Sequence, residues 1–256
     1  MTHIAITAGG TSENIDGIRK ITNVSTGSLG WHCLEAVFAY FEQQNITDFQ
    51  IHYIHTENAL LKTLSETQYQ KVNFVPVTDA ESVFQAVDSL TKATPIDFFI
   101  HSMAISDFTF SYAVNIYRLS EEIEALQSSY GFTDDHVREV LSNPQTKFYG
   151  DEKISSKDDI IMGLKRTKKV IPIIKQNNPN TFLVGFKLLK GVNENELLEV
   201  ANEMAEKNGC DMVFANQLAA ISESNHTGIL IKDSKIIARP VGKKKIARGI
   251  VNAMMG

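Results

Sequence analysis

The chain has 256 residues, with 25 Lys and Arg against 30 Asp and Glu and a net charge of −5, which argues against a general nucleic-acid binder with its basic face. Hydrophobic residues make up 43% and charged residues 21%, an ordinary globular balance that disfavours a disordered chain. No apolar run approaches the roughly 20 residues of a membrane-spanning helix.

In chain order, residues 3–8 read as a first strand, with Ile4, Ala5 and Ile6 leading into Thr7-Ala8-Gly9-Gly10-Thr11. A long polar loop carries Asp16, Arg19 and Asn23. A second small-residue turn, Ser25-Thr26-Gly27-Ser28, then opens a helix over 28–43. Leu29, Cys33, Leu34, Val37, Phe38 and Phe41 give that helix one apolar face. Further strands are expected at 50–55, 72–77, 96–101, 182–187 and 211–215, and further helices near 57–66, 79–92 and 193–208. The last of these starts at Asn193 or Asn195, with Glu194 and Glu196 where the helix dipole favours them. Two helix-like segments, 119–129 and 133–141, end at Asn143-Pro144 and suggest a helical insertion over 109–150. Residues 227–241 read as a β-hairpin extension around Lys232-Asp233-Ser234-Lys235, and a final helix follows over 242–255. The run Lys243-Lys244-Lys245 reads as a solvated helix start, with phosphate contact the lesser alternative. Alternating elements of this kind predict an α/β fold over 1–256: a doubly wound, mainly parallel, Rossmann-like sheet with helices on both faces.

Two glycine and hydroxyl turns bracketing one loop offer two clusters of backbone N–H groups to phosphates. The second lies at a helix N-terminus, where orphan donors favour an anion. About fifteen residues separate Gly10 from Ser25, so the tight G-x-G-x-x-G dinucleotide turn is absent. The extended loop suits a nucleoside triphosphate held beside a second phosphorylated substrate. An NAD(P)-linked Rossmann reductase and a non-catalytic nucleotide-binding module are the competing classes. The polar residues at Gly9-Gly10, Ala104 to Asp107, Gly185 to Lys187 and Asn216 are expected at strand C-termini, the ligand rim of open α/β sheets.

These segments resemble the motifs of phosphopantothenoylcysteine synthetase (phosphopantothenate–cysteine ligase). Ile6-Thr7-Ala8-Gly9-Gly10-Thr11, Ile15-Asp16, Arg19 and Thr22-Asn23-Val24-Ser25-Thr26-Gly27-Ser28-Leu29-Gly30 are similar to the family's opening. Met103-Ala104-Ile105-Ser106-Asp107-Phe108 resembles its A-V-A-D-[YF] turn and Glu152-Lys153-Ile154 the start of its K-I-K-K motif. Val184-Gly185-Phe186-Lys187-Leu188 resembles its G-F-[AK] strand, and Asp211-Met212-Val213-Phe214-Ala215-Asn216 its D-[LM]-[IV]-x-A-N strand.

The resemblance implies an amide-forming ligase of coenzyme A biosynthesis that joins 4′-phosphopantothenate to L-cysteine through an acyl-nucleotidylate. CTP is the favoured nucleotide, with ATP the alternative, and Mg²⁺ is the implied ion. Asn23 and Lys153 are the implied catalytic residues, and Arg19, Asn23 and Ala104 the substrate-binding ones. Gly9, Gly10, Thr11, Ser25, Thr26, Gly27, Asp107, Lys153, Phe186, Lys187 and Asn216 are implied in nucleotide binding. The histidines show no metal-ligand spacing.

Two departures stand out. Ser155 and Ser156 occupy the places of the family's later lysines, with Lys157 one place later and Lys187 and Lys190 expected to compensate. About 45 residues separate Asp107 from Lys153, a longer link than in the two-domain bacterial enzymes, so the 109–150 insertion is expected to serve as lid or dimer contact. Cys33 and Cys210 are expected to be buried free thiols. With no secretory pattern and no preceding flavin-binding domain, a monofunctional cytoplasmic homodimer is expected.

Overall fold

Strand β1 (Thr2–Ala8) is apolar towards both faces, with Ile4, Ala5, Ile6, Thr7 and Ala8 fully buried, the signature of a parallel strand covered on both sides. The structure is a computed structural model that describes residues 1–130, 133–148, 157, 159–221 and 226–256, without the side chains of 127–130. After β1 come β2 (Ser12–Asn14), β3 (Lys20–Thr22), α1 (Ser28–Gln43), β4 (Phe49–Thr56), α2 (Glu66–Tyr69), β5 (Val72–Val77) and α3 (Ala80–Ala93). Next are β6 (Phe98–His101), β7 (Phe108–Asn115), α4 (Ile116–Tyr130), α5 (Asp134–Ser142), β8 (Ile160–Arg166) and α6 (Ile171–Asn177). The chain closes with β9 (Phe182–Leu189), α7 (Glu194–Asn208), β10 (Met212–Gln217), β11 (Ile229–Lys232), β12 (Lys235–Ala238) and α8 (Lys243–Met255).

The chain divides into two compact units, 1–11 with 23–105 and 169–256, and 12–22 with 106–168. The larger holds an eight-stranded sheet in the order β12-β11-β10-β9-β6-β1-β4-β5. Pairing is parallel from β10 to β5 and antiparallel for β11 and β12. Helices α1 and α8 cover one face over Ile4, Ile6, Ile51, Tyr53 and Phe214. Helices α3 and α6 cover the other over Ala5, Ile54, Phe99 and Leu183, and α7 packs on Val213 and Ile231. The doubly wound, mainly parallel sheet is therefore as the alternating pattern predicted. Helix α7 starts at Asn193, whose side chain accepts from Glu196 N while Glu196 returns a bond to Asn193 N. Such a reciprocal cap contributes about 1 kcal/mol and settles the choice against Asn195. The hairpin turns at Asp233 and Ser234, both at positive φ, as the tight two-residue turn between antiparallel strands requires. Cys33 and Cys210 are free, Cys33 buried as expected but Cys210 only half-buried, and burial pushes both thiols up to about 12.

Three expectations are corrected. Residues 57–65 are not helical: Ala59 N closes a turn onto Thr56 O and Leu60 N donates to Thr26 O in the loop before α1, so the backbone bonds are not those of a helix. Only the Ser65 capping box starts a helix, at Glu66. The segment Gly185 to Lys187 lies inside β9, paired with β10, because the strand runs on to Leu189.

The third correction concerns the insertion. Residues 109–115, the start of the expected 109–150 insertion, are not helical but lie in strand β7, paired antiparallel with β8, while the two helix-like segments are α4 and α5. Phe108, Phe110, Tyr112 and Val114 recur at period two with the aromatic and β-branched side chains that strands favour. Helix α4 begins only after Asn115, whose Oδ1 accepts from Tyr117 N and Arg118 N. This second unit also contains the β2–β3 hairpin, with Ile15 and Ile21 packed on Ala113 and Phe110.

Candidate functional site

The sheet order reverses between β1 and β6. From β1 the chain winds to β4 and β5, then returns to place β6 on the opposite side of β1. Ligands of open α/β sheets bind at such a switch point, beyond the strand C-termini. Here it is built from Thr7 to Thr11 on one side and His101 to Ala104 on the other. Thr7 Oγ1 pairs with His101 Nδ1 at 3.0 Å and accepts from Met103 N at 3.2 Å, while Ser102 Oγ donates to Thr7 O at 2.6 Å. Beyond the strands, Gly10 and Ala104 form a parallel bridge. Ala104 N donates to Gly9 O at 2.9 Å, and Thr11 N donates to Ala104 O at 3.1 Å.

Asn23 joins this clasp from the far end of the polar loop. Its N–H donates to Thr11 O at 3.0 Å and its side-chain Nδ2 to Ala104 O at 3.2 Å. Three segments separated in sequence, 9–11, 23 and 104, are thus hydrogen-bonded into one surface. Gly10 is required for this: a Cβ there would sit 2.2 Å from Asn23 O. Gly10→Ala is therefore expected to push the Asn23 backbone out of place at a cost of about 1–3 kcal/mol, lowering Tm by about 2–4 °C per kcal/mol. Thermal unfolding beside Gly17→Ala, whose Cβ would meet nothing within 4 Å, measures it. Equal Tm values for the two variants would contradict the steric account.

Next to the clasp, Ser25, Thr26 and Gly27 turn the chain into α1. Gly27 adopts φ +65°, and a Cβ there would press on Ala59 and on Gly9 N at about 3 Å. The helix starts with no side-chain cap and no acidic residue in its first turn. Thr26 Oγ1 donates to Ser28 Oγ at 3.0 Å. An uncapped helix start beside a glycine turn offers backbone donors to an anion.

Farther along the sheet, alternation along β9 sends Phe186 and Lys187 to opposite faces. Phe186 packs against Phe214, with ring centroids 5.8 Å apart, on the face covered by α1 and α8. Lys187 is thereby not brought to the same side as Phe186. Asn216, 7% exposed near the end of β10, bonds His226 Nε2 through its Nδ2 at 3.1 Å. Sequence reading passed over His226, which has no spacing signal; only the return of the chain after β10 places it there.

In the second unit Asp16 organises the β2–β3 turn. Its Oδ1 accepts from Ile18 N and Arg19 N, and its Oδ2 from Arg19 Nε and Nη2 at 3.0 and 2.6 Å. The bonds from Arg19 hold the Asp16 carboxyl at about 2. The guanidinium, 44% exposed, is thus oriented by a carboxylate before any ligand arrives. Asp107 lies exposed just before β7, its carbonyl accepting from Thr167 N at 3.0 Å. Lys153, with Glu152, Ile154, Ser155 and Ser156, lies outside the described residues. Among the described residues no group of three or more His, Cys, Asp or Glu side chains could hold a metal ion. No helix among them is long and apolar enough to cross a membrane.

The sequence matches the profile of the DNA/pantothenate metabolism flavoprotein C-terminal domain over residues 1–123 and 141–256. It is similar to the coenzyme A biosynthesis bifunctional protein CoaBC of Thermococcus kodakarensis, 28% identical over 228 residues, which cover 89% of this chain and 44% of that protein. CoaBC of Bacillus subtilis is 24% identical over 248 residues, covering 94% of this chain and 48% of the relative. The chain spans about half the length of the curated relatives it matches. Among solved structures, the DNA/pantothenate metabolism flavoprotein from Streptococcus pneumoniae superposes with a TM-score of 0.77 at 29% identity, covering 99% of this chain and 98% of that one. A Cab2 mutant in complex with phosphopantothenate-cysteine shares the fold at 17% identity, with a TM-score of 0.67 over 99% of this chain and 85% of the other.

Proposed function

The chain belongs to the DNA/pantothenate metabolism flavoprotein C-terminal domain family, and from that premise we propose that it is a phosphopantothenate–cysteine ligase of coenzyme A biosynthesis. The carboxylate of 4′-phosphopantothenate attacks the α-phosphorus of a nucleoside triphosphate, and pyrophosphate leaves. The amine of L-cysteine then attacks the acyl-nucleotidylate carbonyl, releasing the nucleoside monophosphate and, as the amide forms, the amine proton. The observation that carries this reading is the clasp of Gly9–Thr11, Asn23 and Ala104 at the sheet's switch point, beside the uncapped start of α1. The phosphopantothenate-cysteine bound to the Cab2 mutant of the same fold supports the choice of substrates.

The roles follow from positioning and charge, since this chemistry needs no covalent nucleophile. Asn23 and Ala104 hold the acyl group of the substrate, and Arg19, whose guanidinium Asp16 orients, is proposed as a substrate-binding cation. The Ser25–Gly27 turn and Gly9–Thr11 receive phosphates, and Phe186 and Asn216 serve the nucleotide; Lys187, on the face of β9 opposite Phe186, is left out of that role. Mg²⁺, carried by the triphosphate, would supply positive charge to its phosphate oxygens.

CTP is the proposed nucleotide, and the protein works in the cytoplasm. Pyrophosphate release should require phosphopantothenate and triphosphate together, with kcat/KM higher for CTP than for ATP. Hydride transfer to NADP without pyrophosphate would replace the ligase by a reductase, and binding without turnover by a nucleotide-binding module.

A homodimer is proposed as well, because β12 leaves an edge strand open and two-fold closure is the commonest remedy. Light scattering at micromolar concentration should give twice 28.5 kDa. A monomer mass would refute it.

A further inference from the structure

Helices α1 and α8 lie side by side and run in the same direction. At their starts Lys243 Nζ donates to Ser28 Oγ at 2.7 Å, and at their ends Tyr40 Oη donates to Met255 O at 2.9 Å. Parallel neighbours add their dipoles, so two positive poles meet at one place. Neither helix has a side-chain cap or an acidic residue in its first turn, and α8 instead begins with Lys243, Lys244 and Lys245. Three cations at a helix N-terminus oppose the dipole by about 0.3–1 kcal/mol each. A local rule broken this way marks a site where function sets the sequence.

A cavity of about 400 Å³ opens there, lined by His32, His226, Gly242, Lys243, Lys244 and Lys245. His226 is 8% exposed, and its Nε2 takes the bond from Asn216 Nδ2. The ring proton of the neutral imidazole therefore sits on Nδ1, which is buried with no partner among the described residues. The nearest turn of α1 supplies one carboxylate, Glu35, but it is engaged by His32, Lys62 and Trp31 at 2.6–3.1 Å. Nothing among these groups offsets the three lysines.

We propose that Lys243, with Lys244, Lys245 and the start of α8, forms the second wall of a polyphosphate cradle whose first wall is the start of α1. It holds the β- and γ-phosphates of the nucleotide, the pair that departs as pyrophosphate. The assignment rests on the ligase reading, which supplies the triphosphate. Phosphopantothenate carries the same oxyanion chemistry, so the experiment separates the two.

Inorganic pyrophosphate and inorganic phosphate are titrated calorimetrically into the wild type, Lys243→Gln and Lys243→Arg, with Lys207→Gln on the exposed end of α7 as the charge control. Losing one charge-assisted bond should weaken pyrophosphate about tenfold in Lys243→Gln, with recovery in Lys243→Arg. KM for the nucleotide should rise by a similar factor and KM for phosphopantothenate should not. If Lys243→Gln melts early, the exposed pair Lys244→Gln with Lys245→Gln replaces it, with the same direction expected. Pyrophosphate affinity unchanged in both variants overturns the cradle, and so does a rise confined to KM for phosphopantothenate. A wild type that makes no amide product overturns the ligase reading alone, because the pyrophosphate titration needs no turnover.

Discussion

Replacing Lys153 by Gln is expected to slow acyl-nucleotidylate formation by about 10²–10³, the cost of losing one donor aimed at developing charge. The resemblance puts Lys153 at the head of a motif that elsewhere holds further lysines, and here Ser155 and Ser156 follow it. Only Lys157 follows, one place later than the family's lysines, so Lys153 should carry more of the effect. Lys187 is a poor substitute, since it sits within β9 on the face opposite Phe186. Single-turnover release of pyrophosphate measures the first step directly. Asn23→Asp provides the contrast. Its amide bond to Ala104 O would be lost and a carboxylate would stand near an acyl phosphate. First-step chemistry should then survive in part while the second step fails. Normal turnover by Lys153→Gln would remove Lys153 from the mechanism.

The β1 to α1 segment shows how far the sequence alone could be read. A run of buried residues ending in two glycines specifies a central parallel strand and its turn, and the helix face of Cys33, Val37 and Phe41 specifies what covers it. Local periodicity therefore located most of the sheet. It failed where long-range bonds decide conformation. Residues 57–65 look helical until Leu60 N finds Thr26 O, and 108–115 become a strand through pairing with 160–166. The candidate site divides in the same way. Gly10, Asn23 and Ala104 were legible as motif positions, but their mutual hydrogen bonds were not. His226 carried no signal as a site residue, and the run at Lys243 read first as a solvated helix start with phosphate contact only the lesser alternative, because the parallel packing of α1 and α8 has no signature in either helix alone.

Acid is expected to unfold the protein well before its carboxylates are exhausted. His52 is 8% and His101 9% exposed, and burial lowers both to about 4, with the charge of His3 adding to the effect at His52. The unfolded histidines titrate near 6.5. Between pH 6.5 and 4 the unfolded chain thus takes up protons that the folded chain refuses, and stability falls as pH falls. Each histidine contributes a slope of up to about 1.4 kcal/mol per pH unit in that window, and the pair about twice that. Against a total stability of about 5–15 kcal/mol, this is a large loss by pH 5. Above pH 7 the effect should vanish, because both states are then neutral. His101 also bonds Thr7 Oγ1, which accepts from Met103 N beside the clasp, so the switch point of the sheet should be the first surface to loosen. Denaturant midpoints at pH 7, 6 and 5 should show the decline, and His101→Gln, which keeps a hydrogen-bonding amide without a titrating ring, should flatten it by about half. Midpoints independent of pH in the wild type would mean that both rings reach water before unfolding, against the burial that places them in the core.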